Sequence, residues 1–228
     1  MALTHQELLR LHIEAVWGVQ LPTIEQYDIE LMPESIRPTW KLYVAELVDA
    51  RIHVWRSDVG AEEREVLRLR ANEALAFPPL GAPMAGVSRE VALSFSASPK
   101  LDSNAARTIA RSLTPQYRPL IEAFQAGSAE DYLRQEVHPL VGVIRNGRLL
   151  SLAHSSRRTA QACELGIDTL PEARQRGYAL AATIVWTQMI LQEGLVPLYS
   201  AEASNIPSLR LAHAAGYRVF AQGASFEV

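Results

Sequence analysis

The segment with the clearest potential for chemistry lies between a strand-like stretch and a long apolar helix pattern. It consists of Arg174, Gln175, Arg176, Gly177, Tyr178 and Ala179. A helix that begins near Tyr178 exposes unpaired N–H groups and a partial positive charge, and phosphate groups bind well there. Gly177 would let the backbone approach such an anion, and the two arginines would supply charge-assisted hydrogen bonds. The segment therefore predicts an anion-binding loop, and a plain strand-to-helix turn with solvated arginines is the alternative.

Hydrophobic periodicity predicts the elements that would position this loop. Helices are expected over residues 5–17, 61–76, 103–113, 117–126, 129–136, 178–193 and 205–215. Strands are expected twice within 41–56, on both sides of Asn146-Gly147, and at 88–97, 161–169, 196–202 and 217–228. The Asn-Gly pair is typical of a tight hairpin turn. This order predicts an α/β chain of the mixed α+β class, with helices on the faces of a mixed sheet.

A stretch rich in proline and glycine at residues 77–86 is the best candidate for a linker. We therefore expect an N-terminal α/β extension over residues 1–80 and a second domain over residues 86–228. The extension is either a degenerate, partial copy of the second domain or a partner-binding unit. A dimerising role for it would make the protein a homodimer.

Composition argues against several classes of function. The net charge of -3 and the pI of about 6.1 argue against a nucleic-acid-binding protein. Charges interrupt the N-terminal stretch where a secretory signal needs an apolar run, and no run approaches the length of a membrane span. Cys163 is the only cysteine, so no intramolecular disulfide can form, which fits the cytoplasm. No His, Cys or carboxylate pair has the spacing of metal ligands, so we expect no metal.

A second block of sequence agrees with the anion loop. It contains Asn205, Ser208, Leu211-Ala212 and Gly216-Tyr217. Together with the string ELGIDTLPEARQRGYALA, this block resembles the coenzyme A-binding region of the GNAT N-acetyltransferase superfamily. In that family an Arg/Gln-x-x-Gly-x-Gly/Ala loop opens a long helix. The form of the second block looks most like the branch related to the zwittermicin-resistance acetyltransferases.

The resemblance implies the GNAT fold, a central and mostly antiparallel mixed sheet flanked by helices. It also implies transfer of an acetyl group from acetyl-CoA to a primary amine of a small molecule, by direct attack in a ternary complex. No metal takes part in that chemistry. The implied cofactor-binding residues are Ile167, Asp168, Thr169, Arg174, Gln175, Arg176, Gly177, Tyr178, Ala179, Asn205 and Ser208. Asn205 also fits a helix N-cap, and the two roles can coexist.

The resemblance also assigns catalytic tasks. The backbone N–H of Ile167 or a neighbour would stabilise the oxyanion, and Gly166 would mark a bulge or a close approach of the backbone. Glu164 is the first candidate for the general base, and Glu202 is the second. Asp168 is expected to support the loop.

One position departs from the family pattern. Many members carry a tyrosine immediately after the leucine of the second block, where this chain has Ala212. Water, Tyr217 or Tyr199 would then protonate the departing thiolate, since His213 lies on another face of the helix. The departure motivates a second hypothesis, a catalytically silent sensor that binds acyl-CoA.

Overall fold

The computed structural model describes residues 3–24, 26–32, 36–76 and 84–227, so most of the predicted linker lies outside the described residues. The helices are α1 (His5–Trp17), α2 (Ala61–Ala76), α3 (Ser103–Ile109), α4 (Arg118–Phe124), α5 (Ala129–Tyr132), α6 (Tyr178–Gln192) and α7 (Ile206–Ala214). The strands are β1 (Asp28–Glu30), β2 (Trp40–Glu46), β3 (Arg51–Trp55), β4 (Val87–Phe95), β5 (Arg111–Ser112), β6 (Val141–Arg145), β7 (Arg148–Arg158), β8 (Ala162–Thr169), β9 (Val196–Glu202) and β10 (Tyr217–Glu227).

The chain divides into two compact units that interleave along the sequence. The first consists of Met1–Ser94, Ser200–Leu209 and Val219–Val228, and the second of Phe95–Tyr199 and Arg210–Arg218. The predicted division into an extension over 1–80 and a domain over 86–228 stays a prediction.

The first unit is a sheet with a helix on each face. Its strand order is β1-β3-β2-β10-β4, with β1 parallel to β3 and with β2 antiparallel to both β3 and β10. Helix α2 covers one face, where Leu67 packs in a core with Leu42, Trp55 and Phe226. Helix α1 covers the other face. His12 on α1 hydrogen-bonds to Glu90, which also accepts the hydroxyl of Tyr43, and the ring of His12 meets that of Phe220 edge to face. Alternate residues of β2 therefore face different helices, as a pleated strand requires.

The second unit repeats this arrangement. Its strand order is β9-β8-β7-β6-β5, antiparallel except for the parallel pair β8 and β9. Helix α6 lies on one face, where the indole of Trp186 donates to Ser155 at 3.4 Å. Helices α4 and α5 lie on the other face, where Tyr132 meets His154 edge to face. The predicted class, a mixed and mostly antiparallel sheet flanked by helices, is confirmed.

The predicted hairpin turn is also present. Asn146 and Gly147 both have positive φ values, 51° and 72°. Two consecutive residues with positive φ define the type I′ turn that joins twisted antiparallel strands. The turn places the end of β6 and the start of β7 next to the segment that follows β8.

The helix predicted over 103–113 is shorter than expected. It ends at Ile109, and Ala110 is already extended, with φ -113° and ψ 151°. Arg111 and Ser112 form β5 and pair with β6, and Leu113 donates its N–H to Leu140 at 2.8 Å. Local periodicity could not show this pairing, because the partner strand lies some 30 residues further along the chain.

Helices predicted over 117–126 and 129–136 are also shorter. A 3₁₀ turn precedes α4, and another follows α5.

Candidate cofactor and catalytic site

Strand β8 has one edge that is only partly paired. It pairs with β7 from Cys163 to Thr169, but its parallel pairing with β9 covers only Ala162, Cys163 and Glu164. Beyond Glu164 the two parallel strands separate. The last five residues of β8 therefore present one backbone edge that β9 does not occupy.

The register decides which backbone groups point to this edge. Leu170 donates its N–H to the carbonyl of Leu150 at 3.0 Å, and the register pairs Ser151 with Thr169 and Ala153 with Ile167. Hydrogen-bonded and non-hydrogen-bonded pairs alternate along an antiparallel ladder. The N–H and C=O groups of Ile167 and Thr169 therefore point away from β7 and towards the open edge.

The loop after β8 turns back on itself before α6. A 3₁₀ turn covers Pro171–Ala173, and Gln175 and Gly177 then adopt left-handed conformations, with φ 60° and 76°. The two left-handed residues bend the chain sharply just before α6, and turns of this kind can form concave anion sites. Gly177 is exposed, and a Cβ atom added to it would meet nothing within 4 Å.

The start of α6 has the form of an anion site. Gly177 is its N-cap, and no side chain caps the helix in the part of the chain that the structure describes. The first intrahelical bond joins the N–H of Ala181 to the carbonyl of Gly177, at 3.0 Å. The N–H groups of the three residues between them therefore form no bond within the helix. The predicted helix start at Tyr178 is confirmed.

Three arginines surround this loop. Arg174 and Arg176 are exposed, and the guanidinium of Arg174 reaches back to the carbonyl of Thr169 at 3.5 Å. Arg145, at the end of β6, lies 6.0 Å from the ring centre of Tyr178. Sequence reasoning missed Arg145, because only the pairing of β6 with β7 and β8 brings it to the loop. The arginines give the loop a positive field that suits a phosphate.

The two candidate bases differ in their surroundings. Glu164 is only 4% exposed, on the part of β8 that still pairs with β9. Glu202 is exposed at the end of β9 and belongs to the other unit. A proton acceptor at Glu164 would be sheltered from water, whereas Glu202 would exchange protons with solvent directly.

The candidate proton donors lie in a buried cluster. The hydroxyl groups of Tyr217 and Thr187 are 2.7 Å apart, and the ring of Tyr199 meets that of Tyr217 at 5.5 Å. Burial raises the pKa of Tyr217. The same cause raises the pKa of Cys163 to about 11, so this cysteine is a core thiol and not a nucleophile. A phenol held in this way gives up its proton reluctantly.

Gly166 allows a close approach by a side chain from β7. The strand register is regular around it, and the irregularity lies between Ser155 and Arg157 on β7, so the predicted bulge at Gly166 is wrong. A Cβ atom at Gly166 would overlap the imidazole ring of His154. Asp168, two residues on, accepts a hydrogen bond from the hydroxyl of Tyr132 at 3.4 Å.

The second sequence block forms the start of α7. Asn205 caps this helix, because its side-chain oxygen accepts the N–H of Ser208 at 3.2 Å. Asn205 and Ser208 belong to the first unit, and their cofactor contacts stay predictions. Ala212 is fully buried and His213 is exposed.

Two other kinds of site are absent from the described ranges. No group of three His, Cys, Asp or Glu side chains in these ranges could hold a metal ion. No helix in the described part of the chain is long and apolar enough to cross a membrane.

Comparisons with known proteins agree with this geometry. A sequence model described as GNAT acetyltransferase matches residues 107–222, about half of the chain. No curated protein matches the chain at a significant level.

Solved structures are similar at low sequence identity. An acetyltransferase of the GNAT family from Colwellia psychrerythraea is 15% identical over 77% of this chain and 75% of its own, with a TM-score of 0.50. A protein from Novosphingobium aromaticivorans assigned to the same family is 22% identical over 64% of this chain and 68% of its own, with a TM-score of 0.49. A GCN5-related N-acetyltransferase-like protein from Streptococcus suis is 16% identical over 83% of this chain and 84% of its own, with a TM-score of 0.46. At 15% identity, the likeness to the Colwellia protein shows the fold alone.

Proposed function

The chain belongs to the GNAT acetyltransferase family, and from this premise we propose that it moves the acetyl group of acetyl-CoA to a primary amine of a small molecule. The observation that carries the proposal is the open edge of β8 leading into the uncapped start of α6. A long cofactor with an amide-containing arm and a pyrophosphate fits both features. The finer assignment, to the branch related to the zwittermicin-resistance acetyltransferases, is part of this proposal.

The proposed cofactor position follows from the polarity of each part. The N–H and C=O groups of Ile167 and Thr169 would pair with the amides of the pantetheine arm, as a further strand would. The pyrophosphate would accept the N–H groups from Gln175 to Ala179, with Arg174 and Arg176 beside it. We keep Asp168, Asn205 and Ser208 as predicted contacts on the strength of the family resemblance.

The proposed reaction is direct attack in a ternary complex. The amine must first lose a proton, because an alkylammonium has a pKa of ~10.4 and carries no free electron pair. Its nitrogen then attacks the thioester carbonyl, whose oxygen would accept the N–H of Ile167. Collapse of the tetrahedral intermediate breaks the C–S bond and releases coenzyme A. The family resemblance offers Glu164 first and Glu202 second as carboxylates for this proton.

A catalytically silent sensor is the second candidate function. It is favoured by the buried Ala212 where the family has a tyrosine, and by the hydrogen bond that holds Tyr217 to Thr187. Either function requires coenzyme A to bind, so binding alone does not separate them.

Turnover separates the two functions. The protein would be mixed with acetyl-CoA and, in turn, glucosamine, spermidine and propylamine, and release of the coenzyme A thiol would be followed by its reaction with a disulfide dye. We expect at least one amine to accelerate thiol release and to appear as its N-acetyl product in mass spectrometry. Tight coenzyme A binding with no acetylated product from any amine would support the sensor.

The loop arginine next to β8 gives a quantitative prediction. An Arg174→Gln variant should bind coenzyme A about 10-fold more weakly, since a hydrogen bond to a charged group contributes ~1.5–3 kcal/mol. The measurement is isothermal titration calorimetry with coenzyme A. Arg107→Gln, which removes an exposed arginine in the last turn of α3, is the matched control and should leave affinity unchanged. Equal affinities of the two variants would contradict the placement of the pyrophosphate.

A further inference from the structure

One imidazole lies directly over the strand that is proposed to hold the thioester. His154 on β7 is paired with Gly166 on β8, and its ring fills the space that a side chain at residue 166 would need. Gly166 immediately precedes Ile167, whose N–H points to the open edge of β8. The imidazole therefore lies against the residue adjacent to the backbone N–H that is proposed to bind the reacting carbonyl.

The surroundings of His154 come from three elements. Asp168 is on β8, Tyr132 on α5 has its ring 5.1 Å from that of His154, and Arg157 is on β7 itself. Burial lowers the pKa of His154, Asp168 opposes this shift, and Arg157 adds to it. The imidazole is consequently neutral at pH 7 and can accept a proton.

The two ring nitrogens are not equivalent. His154 is half-buried, and its Nδ1 is shielded from solvent with no hydrogen-bond partner among the described residues. Buried polar atoms in native structures normally have a partner, so one left unsatisfied needs an explanation. In the tautomer that carries the proton on Nδ1, Nε2 is the nitrogen that can accept another.

We propose that His154 is the general base of the acetyl transfer and that Gly166 exists to admit its ring over β8. The inference rests on the proposed function. It places the proton acceptor at neither Glu164 nor Glu202. Glu164 is only 4% exposed, whereas His154 is half-buried and its ring lies against Gly166, the residue next to Ile167.

The proton balance is as follows. Nε2 of His154 takes one proton from the bound alkylammonium, and the freed electron pair of nitrogen forms the new C–N bond. The carbonyl π electrons move to the oxygen and return as the C–S bond breaks. The nitrogen loses a second proton to water, the departing thiolate gains one from water, and the imidazolium releases its proton to solvent. One amide, one thiol and one solvent proton are formed from one ammonium and one thioester.

The test uses the amine that the wild-type protein acetylates best among glucosamine, spermidine and propylamine. His154→Gln and His154→Phe should both lower kcat/KM by about 100-fold, the usual scale of general base catalysis. The phenylalanine variant keeps a ring against Tyr132, so its loss cannot come from missing packing. Gly166→Ala, which displaces the imidazole while keeping it, should show a similar loss. His213→Gln, at an exposed histidine, is the control and should behave as wild type.

The pH profile distinguishes catalysis from structural support. In the wild type, kcat/KM should decrease as the pH falls below the pKa of His154. This acid limb of the pH profile should be absent from both His154 variants. A variant that folds and binds coenzyme A with wild-type affinity, yet keeps the acid limb or the full rate, overturns the inference. Failure of the wild type to acetylate any of the three amines would instead overturn the proposed function itself.

Discussion

A Gly177→Glu variant is expected to lose coenzyme A affinity by a factor of 100 or more. A carboxylate at this position would stand next to the proposed pyrophosphate, and two unit charges about 4 Å apart near a protein surface repel by ~4 kcal/mol. Each ~1.4 kcal/mol is tenfold in affinity. The side chain meets no protein atom, since a Cβ at Gly177 has nothing within 4 Å. The positive φ of Gly177 strains any side chain there, so the loss has to be compared with that of a neutral substitution at the same position.

Two controls isolate the charge from the backbone. Gly177→Asn is neutral and asparagine tolerates the left-handed conformation, so it should lose little affinity. Gly194→Glu introduces the same residue at a similar φ of 75° and with equally open surroundings, but at the other end of α6. It should bind coenzyme A as wild type does in calorimetry. Wild-type affinity of Gly177→Glu would remove the anion loop from the site.

The loop was predictable because its signals are local. Pro171 ends the strand pattern, Gly177 marks the left-handed residue, and the apolar run from Tyr178 marks the helix. Gln175 is different, since its positive φ has no signature in its residue type. The hairpin at Asn146-Gly147 was predictable for the same local reason.

The rest of the site depends on strand register, which the sequence does not show. Arg145 reaches Tyr178, and His154 lies over Gly166, only because β6, β7 and β8 pair in one particular alignment. Gly166 did carry a signal, since a glycine inside a strand indicates a close approach. The identity of the approaching group needed the structure. The short strand β5 escaped prediction because two residues are too few to show a period.

The first unit contains a buried charged cluster whose disruption should have the largest effect on stability. His12 on α1 is fully buried, and its Nε2 lies 2.9 Å from the carboxylate of Glu90 on β4. The hydroxyl of Tyr43 donates to the same oxygen at 2.7 Å. Burial acts to raise the pKa of Glu90, but the charge and hydrogen bond of His12, with the hydrogen bond of Tyr43, hold it below its usual value.

The direction of this pKa shift sets its effect on wild-type stability. A carboxyl with a lowered pKa in the folded state contributes stability that is present above its unfolded pKa. That contribution disappears as the pH falls through the folded value. The wild type should therefore keep the contribution of Glu90 at pH 5 to 7 and lose it in stronger acid.

A His12→Leu variant should be less stable than wild type by about 1.5–3 kcal/mol at pH 7, because it removes the hydrogen bond of the largely buried Glu90 carboxylate to His12. Burial would then raise the pKa of Glu90, and a group with a raised folded pKa loses its contribution as the pH rises. The gap in urea-unfolding free energy between His12→Leu and a variant that also carries Glu90→Leu isolates Glu90, because both lack His12, and it should consequently widen from pH 5 to pH 7. The double variant His12→Leu, Glu90→Leu should recover much of the loss, because an apolar pair of similar volume can replace a buried ion pair. A double variant no more stable than His12→Leu, or a gap independent of pH, would show that packing around His12 and not its charge stabilises this face of the sheet.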